Sequence, residues 1–340
     1  MAGGAPAWKN GLARNRAAPA AARVRREGVM ARINIVHDTG YSYHNPVGLS
    51  RHRMMLRPRD SHDLRLHDAS LEVDPAPSLT RWAHDVFGNS ICYLEWPAEL
   101  RTRHLRIVSK LDLTHYPDCP DLPVATIDPA AEQFPFSYAS QEIPDLARLT
   151  ERQLPDPKGL VDAWARRFVA GSSIRTLEML SAMTHAIKAQ FTYGARHEEG
   201  TQTPAQTLEL GTGTCRDFAK LMMEALRSLG LASRFVTGYL YDETMQEPRG
   251  GGSTHAWCSV YLPGAGWTEY DPTNGLIAGT NLVRIAETRT ADQAVPIAGG
   301  YFGNADDTAG MHVDVTVKAA PREDVAPASG AAVPQQRLAS

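Results

Sequence analysis

The chain has 340 residues, 43% hydrophobic and 21% charged, with a net charge of −3. This length favours two domains over one, and the composition suits an ordinary globular core. It leaves no strong basic field to recruit nucleic acid or an anionic membrane, and no run approaches the roughly 18 apolar residues of a membrane span.

Residues 1–29 are rich in Ala and Arg, with Glu27 the single acidic residue. They contain neither an apolar h-region nor the Ser of a transit peptide, so no targeting signal is read there. Met30 opens the first strand-like segment and is an alternative start to Met1. The extension before it is expected to be disordered. Residues 30–117 then read as a β-rich domain. Ile33–Val36, Ser90–Leu94 and His104–Leu113 alternate or are rich in β-formers, with polar turns between them, as in a small antiparallel sandwich. The basic stretch Arg101–Arg106 and the segment His52–Arg57 are most simply strands. Pro117, Pro120, Pro123 and Pro129 crowd the next stretch, and residues 118–139 read as a linker.

Residues 140–318 form the second unit. Leu177, Leu180, Met183, Ile187 and Phe191 recur at helical spacing. Thr201–Leu210 reads as a polar loop with a short turn. Cys215–Leu229 is the clearest helix, with Phe218, Leu221, Met222, Ala225, Leu226 and Leu229 on one face and Gly230 at the C′ position. Strands are expected over Arg234–Leu240, Thr254–Leu262, Trp267–Asp271 and Val313–Lys318. The Ala/Pro/Gln-rich tail, 319–340, is expected to be disordered.

Four cysteines, Cys92, Cys119, Cys215 and Cys258, are scattered and form no C-x-x-C pair. That argues against a thiolate zinc site and a disulfide framework, and it suits a reducing, cytoplasmic setting. Cys215 stands apart from the others. Gly211-Thr-Gly-Thr-Cys215 leads into the best helix, so the thiol falls in its first turn. Backbone N–H groups there lack intrahelical partners, and the helix dipole favours a thiolate. The same amides can donate to an oxyanion. On these residues alone, a buried structural cysteine is an equally good reading.

A nucleophile needs a base, and the base needs a group that fixes its tautomer. His255 begins a strand after the run Gly250–Ser253, and Asp271 ends the next strand. The turn between these strands decides whether they meet. A four-residue loop over 263–266 sets Cys258 opposite Asp271 and turns Asp271 away from His255. An odd loop, or a bulge at Gly266, brings Asp271 to the His255 face. A five-residue loop does so by placing Ser259 opposite Asp271.

Three segments together resemble the transglutaminase-like superfamily. They are Gly213-Thr-Cys-Arg-Asp-Phe218, Thr254-His-Ala-Trp257 and Trp267-Thr-Glu-Tyr-Asp-Pro-Thr-Asn-Gly275, joined by the helix-to-strand segment Leu226–Tyr239. Residues 32–116 look like the β-rich region preceding this core in bacterial relatives, and the resemblance covers about 30–318. It implies an α+β chain in which an N-terminal antiparallel β-sandwich-like domain precedes a papain-like core, with the cysteine helix packed against an antiparallel sheet. It also implies a triad of Cys215 as nucleophile, His255 as general base then acid, and Asp271 as orienter. Many relatives carry Gln after the cysteine, where this chain has Arg216. Arg216 and Trp257 are candidate cleft-wall residues, Asp217 a candidate buttress, and Tyr193 a candidate oxyanion donor.

The implied chemistry is acyl transfer on an amide through a thioester. Hydrolysis of a peptide or amide ranks first, and glutamine transamidation or deamidation second. A non-catalytic protein-binding module is the reading from a different class. No acidic loop cluster suggests calcium, so no metal or cofactor is expected. The expected partner is a peptide or protein substrate, with neither nucleic acid nor membrane.

Overall fold

The computed structural model describes residues 31–116, 126–169, 171–194, 200–241, 254–277 and 281–319. The 1–29 extension, the first part of the linker, Cys119, the Gly250–Ser253 run and the tail beyond 319 lie outside these.

Six strands come first among the described residues: β1 (Ala31–Leu49), β2 (His52–Arg57), β3 (Leu64–Asp74), β4 (Leu79–His84), β5 (Ser90–Glu95) and β6 (Thr102–His115). β1, β6 and β3 form one antiparallel sheet, and β2, β5 and β4 another. Their inward residues, including Val47, Met54, Leu56, Leu94, Leu105 and Ile107, make a shared apolar layer. This is the sandwich that the alternation predicts.

Among the described residues the second unit has five α-helices: α1 (Ile143–Thr150), α2 (Leu160–Arg166), α3 (Thr176–Gln190), α4 (Pro204–Leu210) and α5 (Cys215–Ser228). α4 replaces the expected loop. Thr203 and Gln206 close a reciprocal capping box with Pro204 in the first turn, which suffices to start a short helix. A five-stranded antiparallel sheet follows, in which the short Leu276–Ile277 strand pairs with β9 (Gly266–Asp271), and then come β8 (His255–Leu262), β7 (Ser233–Leu240) and β10 (Leu282–Thr288). α5 lies against this sheet, with Phe218, Leu221, Met222, Ala225 and Leu226 packed on Phe235, Cys258 and Val260. It ends where glycine permits. Gly230 takes φ +82°, its N–H donates to Arg227 O at 3.0 Å, and Leu231 N–H donates to Leu226 O at 3.0 Å.

The chain end departs from the sequence reading. The last strand, β11 (Thr308–Ala319), is twice as long as expected and pairs with β1, from Ile33 opposite Ala319 to Ser42 opposite Gly310. Residues 297–298 pair with β2, and residues 301–302 with the far end of β1. The closing segment therefore belongs to the N-terminal sheets, not to a core running through 318. β1 would otherwise expose an unpaired edge, and Val315 and Val317 alternate onto the Ile33–Ile35 side. The linker is also partly built in, since Ile127, Ala131 and Phe134 join the core under α5.

The two units share a core. Ile33, Ile35, Leu111 and Leu113 of the first sheet pack with Tyr239, Val283 and Ile285 of the second. His37 Nδ1 and the Tyr239 hydroxyl meet at 2.9 Å inside this contact.

Candidate active site

Cys215 is the first residue of α5. The helix starts there because Thr214 and Asp217 cap it reciprocally. Thr214 N–H donates to Asp217 Oδ2 at 2.9 Å, and Asp217 N–H donates to Thr214 Oγ1 at 3.4 Å. Asp217 is fully buried, and its other oxygen accepts from Gln202 N–H at 2.7 Å. It ties the preceding loop to the helix start, as a buttress should. Gly213 sits in a tight space, because a Cβ there would lie 3.0 Å from Asp217 Cβ and 3.1 Å from Phe218 Cε1.

The β8–β9 turn meets the parity condition with a shorter loop than either weighed above. Leu262 pairs with Gly266 and Cys258 with Tyr270, so only Pro263, Gly264 and Ala265 lie between. Gly264 and Gly266 take φ +80° and +77°, values that a side chain would strain. Continued by one residue, this register sets Trp257, not Ser259, opposite Asp271. The odd loop still carries Asp271 to the face that bears His255.

The two side chains meet there. His255 Nε2 lies 2.8 Å from Asp271 Oδ2, with the residues 1% and 0% exposed. A turn holds the carboxylate from its other sides. Thr273 N–H donates to Oδ1 at 2.9 Å, and Asn274 Nδ2 donates to Oδ2 at 2.9 Å. Asn274 Nδ2 is also 3.5 Å from His255 Nε2. Burial would raise the Asp271 pKa, but His255 and these donors hold it below the usual carboxylate range. Burial would likewise lower the imidazole pKa. The Asp271 charge and hydrogen bond, with a smaller contribution from Cys215, hold it well above the ordinary value. Cys215 is thus close enough to the ring to raise its pKa. The nitrogen that Asp271 leaves open is Nδ1, which is buried and has no hydrogen-bond partner among the described residues.

Asn274 was quoted within the sequence motif but given no role there. Its signal is the Asp-Pro-Thr-Asn-Gly turn, where the aspartate side chain bonds the backbone just ahead and Gly275 takes φ +69°.

The remaining sequence candidates fall differently. Tyr193 pairs in parallel with Gly213, and Gly194 N–H donates to Gly213 O at 3.0 Å, which brings the phenol near the thiol. Burial, then the Cys215 and Asp271 charges, push its pKa up to about 12. Trp257 is not a cleft wall open to a ligand. It is fully buried and stacks beside His255, with ring centroids 6.1 Å apart and planes 27° apart. Gly238 makes room for its indole, since a Cβ there would come within 2.7 Å of Trp257 Cη2. Arg216 is committed to the protein. Its guanidinium donates to Ala291 O at 2.6 Å and Ala294 O at 3.3 Å and lies 4.9 Å from the Phe235 ring centre. It pins the segment after β10 and is not a free cation for substrate. Among the described residues, no group of three or more His, Cys, Asp or Glu side chains is arranged to hold a metal ion.

Residues 33–113 match the model of the bacterial transglutaminase-like N-terminal region, and residues 162–272 that of the transglutaminase-like superfamily. Over 310 residues the chain is 29% identical to an uncharacterized protein of Mycobacterium tuberculosis, spanning 86% of this chain and 93% of that one. An uncharacterized protein of Mycobacterium leprae is 24% identical over 295 residues, spanning 84% and 99%. Among solved structures, a candidate cysteine protease from Cytophaga hutchinsonii superposes with a TM-score of 0.62 at 20% identity, spanning 86% and 92%. The periplasmic domain of TgpA from Pseudomonas aeruginosa is 16% identical with a TM-score of 0.35, spanning 74% and 89%. The Cytophaga likeness establishes the shared fold.

Proposed function

We propose that this chain, a member of the transglutaminase-like superfamily with a bacterial transglutaminase-like N-terminal region, is a cysteine-dependent acyl-transfer enzyme that hydrolyses a peptide or amide. One observation carries the proposal: a thiol at the first position of a capped helix beside a fully buried, hydrogen-bonded His255–Asp271 pair.

In this reading the Cys215 thiolate attacks the amide carbonyl, and the C–N bond breaks as His255 hands a proton from Nδ1 to the leaving amine. The product is a thioester. His255 then takes a proton from water, which attacks the thioester and releases acid and thiol. Asp271 holds the ring through Nε2 so that Nδ1 faces the sulfur, and it stabilises the imidazolium. The amides opening α5 serve the oxyanion, with the Tyr193 hydroxyl as the second donor. Hydrolysis is favoured over amine transfer because the similarly folded Cytophaga structure is described as a candidate cysteine protease. Cys92, Cys215 and Cys258 are free thiols, and a cytoplasmic setting keeps such a nucleophile reduced.

The test is incubation with a peptide library that includes glutamine peptides, with and without a primary amine, read by mass spectrometry. Cleavage is expected, and Cys215→Ala should abolish it in a folded protein. Amine incorporation without cleavage replaces hydrolysis by transamidation. Turnover by Cys215→Ala sinks the mechanism, and binding without turnover by the unaltered protein makes this a binding module.

A further inference from the structure

Beneath the His255 ring lies a chain of contacts that the proposed reaction steps do not use. Trp257 stacks beside the imidazole. Its buried indole N–H has no hydrogen-bond partner among the described residues, and the nearby carboxylate that it acts on is Glu269 on β9. The β8–β9 register puts Glu269 directly across from Ser259, diagonal to Trp257 on the same face. Glu269 Oε1 accepts from Arg284 Nη1 at 2.9 Å, and Arg284 Nη2 donates to Asp63 Oδ2 at 2.8 Å. Asp63 belongs to the N-terminal sandwich, just ahead of β3. Arg284 thus ties that unit to Glu269, which the register sets beside the indole that stacks on the catalytic ring.

Resting on the acyl-transfer reading above, we propose that Glu269 is a positioning residue for His255, acting through Trp257, and that Asp63 sets Glu269 through Arg284. The carboxylate orients the indole so that its π face lies along the imidazole. An aromatic face beside the ring favours imidazolium over imidazole, and so favours the thiolate that pairs with it. The Glu269 charge acts in the same sense at longer range. Arg284 bridges Glu269 and Asp63 in a fork that lysine could not reproduce. Other charges bear on the series. Glu287, on the same strand as Arg284, repels Glu269, and His115 of β6 faces Asp63 and Arg284. Burial, opposed by Arg284 and aided by Glu287, lifts the Glu269 carboxyl to about 7. The salt link to Arg284 opposes burial, so the carboxylate is charged above about pH 7.

The experiment needs no known substrate. The full chain is treated with iodoacetamide between pH 5 and 9, and the Cys215 alkylation rate is read by peptide mapping. Four variants are compared after thermal melts confirm folding: Glu269→Gln, Trp257→Phe, Asp63→Asn and His255→Ala. Glu269→Gln is expected to slow alkylation near pH 8, where the carboxylate is charged, about tenfold and move the profile to higher pH. Trp257→Phe should do the same, and the double variant should lose no more than either alone. Asp63→Asn should shift the profile in the same direction by less. Should Glu269→Gln fail to fold, Asp63→Asn carries the test. Profiles for Glu269→Gln and Asp63→Asn that superpose on the unaltered protein, while His255→Ala loses the low-pH rate, overturn this inference alone. If His255→Ala also leaves the profile unchanged, the acyl-transfer reading fails instead.

Discussion

His255 Nε2 and Asp271 Oδ2 lie 2.8 Å apart with both side chains fully buried. A charged pair in that position is costly to desolvate unless each partner satisfies the other. Here the carboxylate also accepts from Thr273 and Asn274, so its charge is met on every side by donors. Such a pair keeps a fixed tautomer and leaves Nδ1 for the thiol.

Asp271→Asn keeps a group of the same shape but removes the charge and reverses the hydrogen bond. The turnover rate should fall on the order of a thousandfold or more, with melting temperature changed far less. Asn274→Ala removes one neutral donor and should cost about tenfold. An Asp271→Asn rate equal to that of the unaltered enzyme removes Asp271 from the triad.

Thiol reactivity should discriminate sharply. Burial lifts the Cys258 thiol to about 12 and the Cys92 thiol to about 11. Near neutral pH, iodoacetamide should therefore modify Cys215 well before either of these. Equal labelling of the three in a folded sample contradicts the assignment of Cys215 as nucleophile.

Acid should destabilise the interface between the two units. Burial lowers the His37 and His115 pKa values from 6.5 to about 4. Both rings stay neutral in the fold while the unfolded chain takes up protons first. Stability is therefore full above about pH 6.5 and falls as the pH drops toward 4. Each ring contributes a loss on the order of 3 kcal/mol. Denaturant titrations at pH 7.5 and 5 should show the loss, and His37→Gln should reduce its slope. A slope unchanged by that substitution removes His37 as a source.

Gly238→Ala should weaken the sheet under the site. The added methyl would lie 2.1 Å from Val283 O and 2.7 Å from Trp257 Cη2, and a paired backbone oxygen cannot yield cheaply. A loss of about 1–3 kcal/mol is expected from the denaturation midpoint. An unchanged midpoint means that β7 and β10 shift freely.

The local features of this protein were legible in its sequence. The helix that opens at Cys215 after a glycine-rich loop stops at Gly230, and period-two alternation marks the strands. These depend on residues within a turn or two of one another, so a linear reading captures them. The family motif, too, is contiguous in its three pieces. The pairing of distant segments was open to the sequence only as alternatives. Whether Asp271 faces His255 turned on the loop length at 263–265, because a slip of one residue flips every side chain to the other face. The tertiary structure also took Arg216 out of the cleft by supplying the Ala291 and Ala294 carbonyls from the segment after β10. It returned the C-terminal strand to β1, more than 260 residues earlier in the chain. It gave Asn274 a place on the triad by folding its turn over the carboxylate. Each of these outcomes is set by long-range packing and hydrogen-bond satisfaction, which no local pattern encodes.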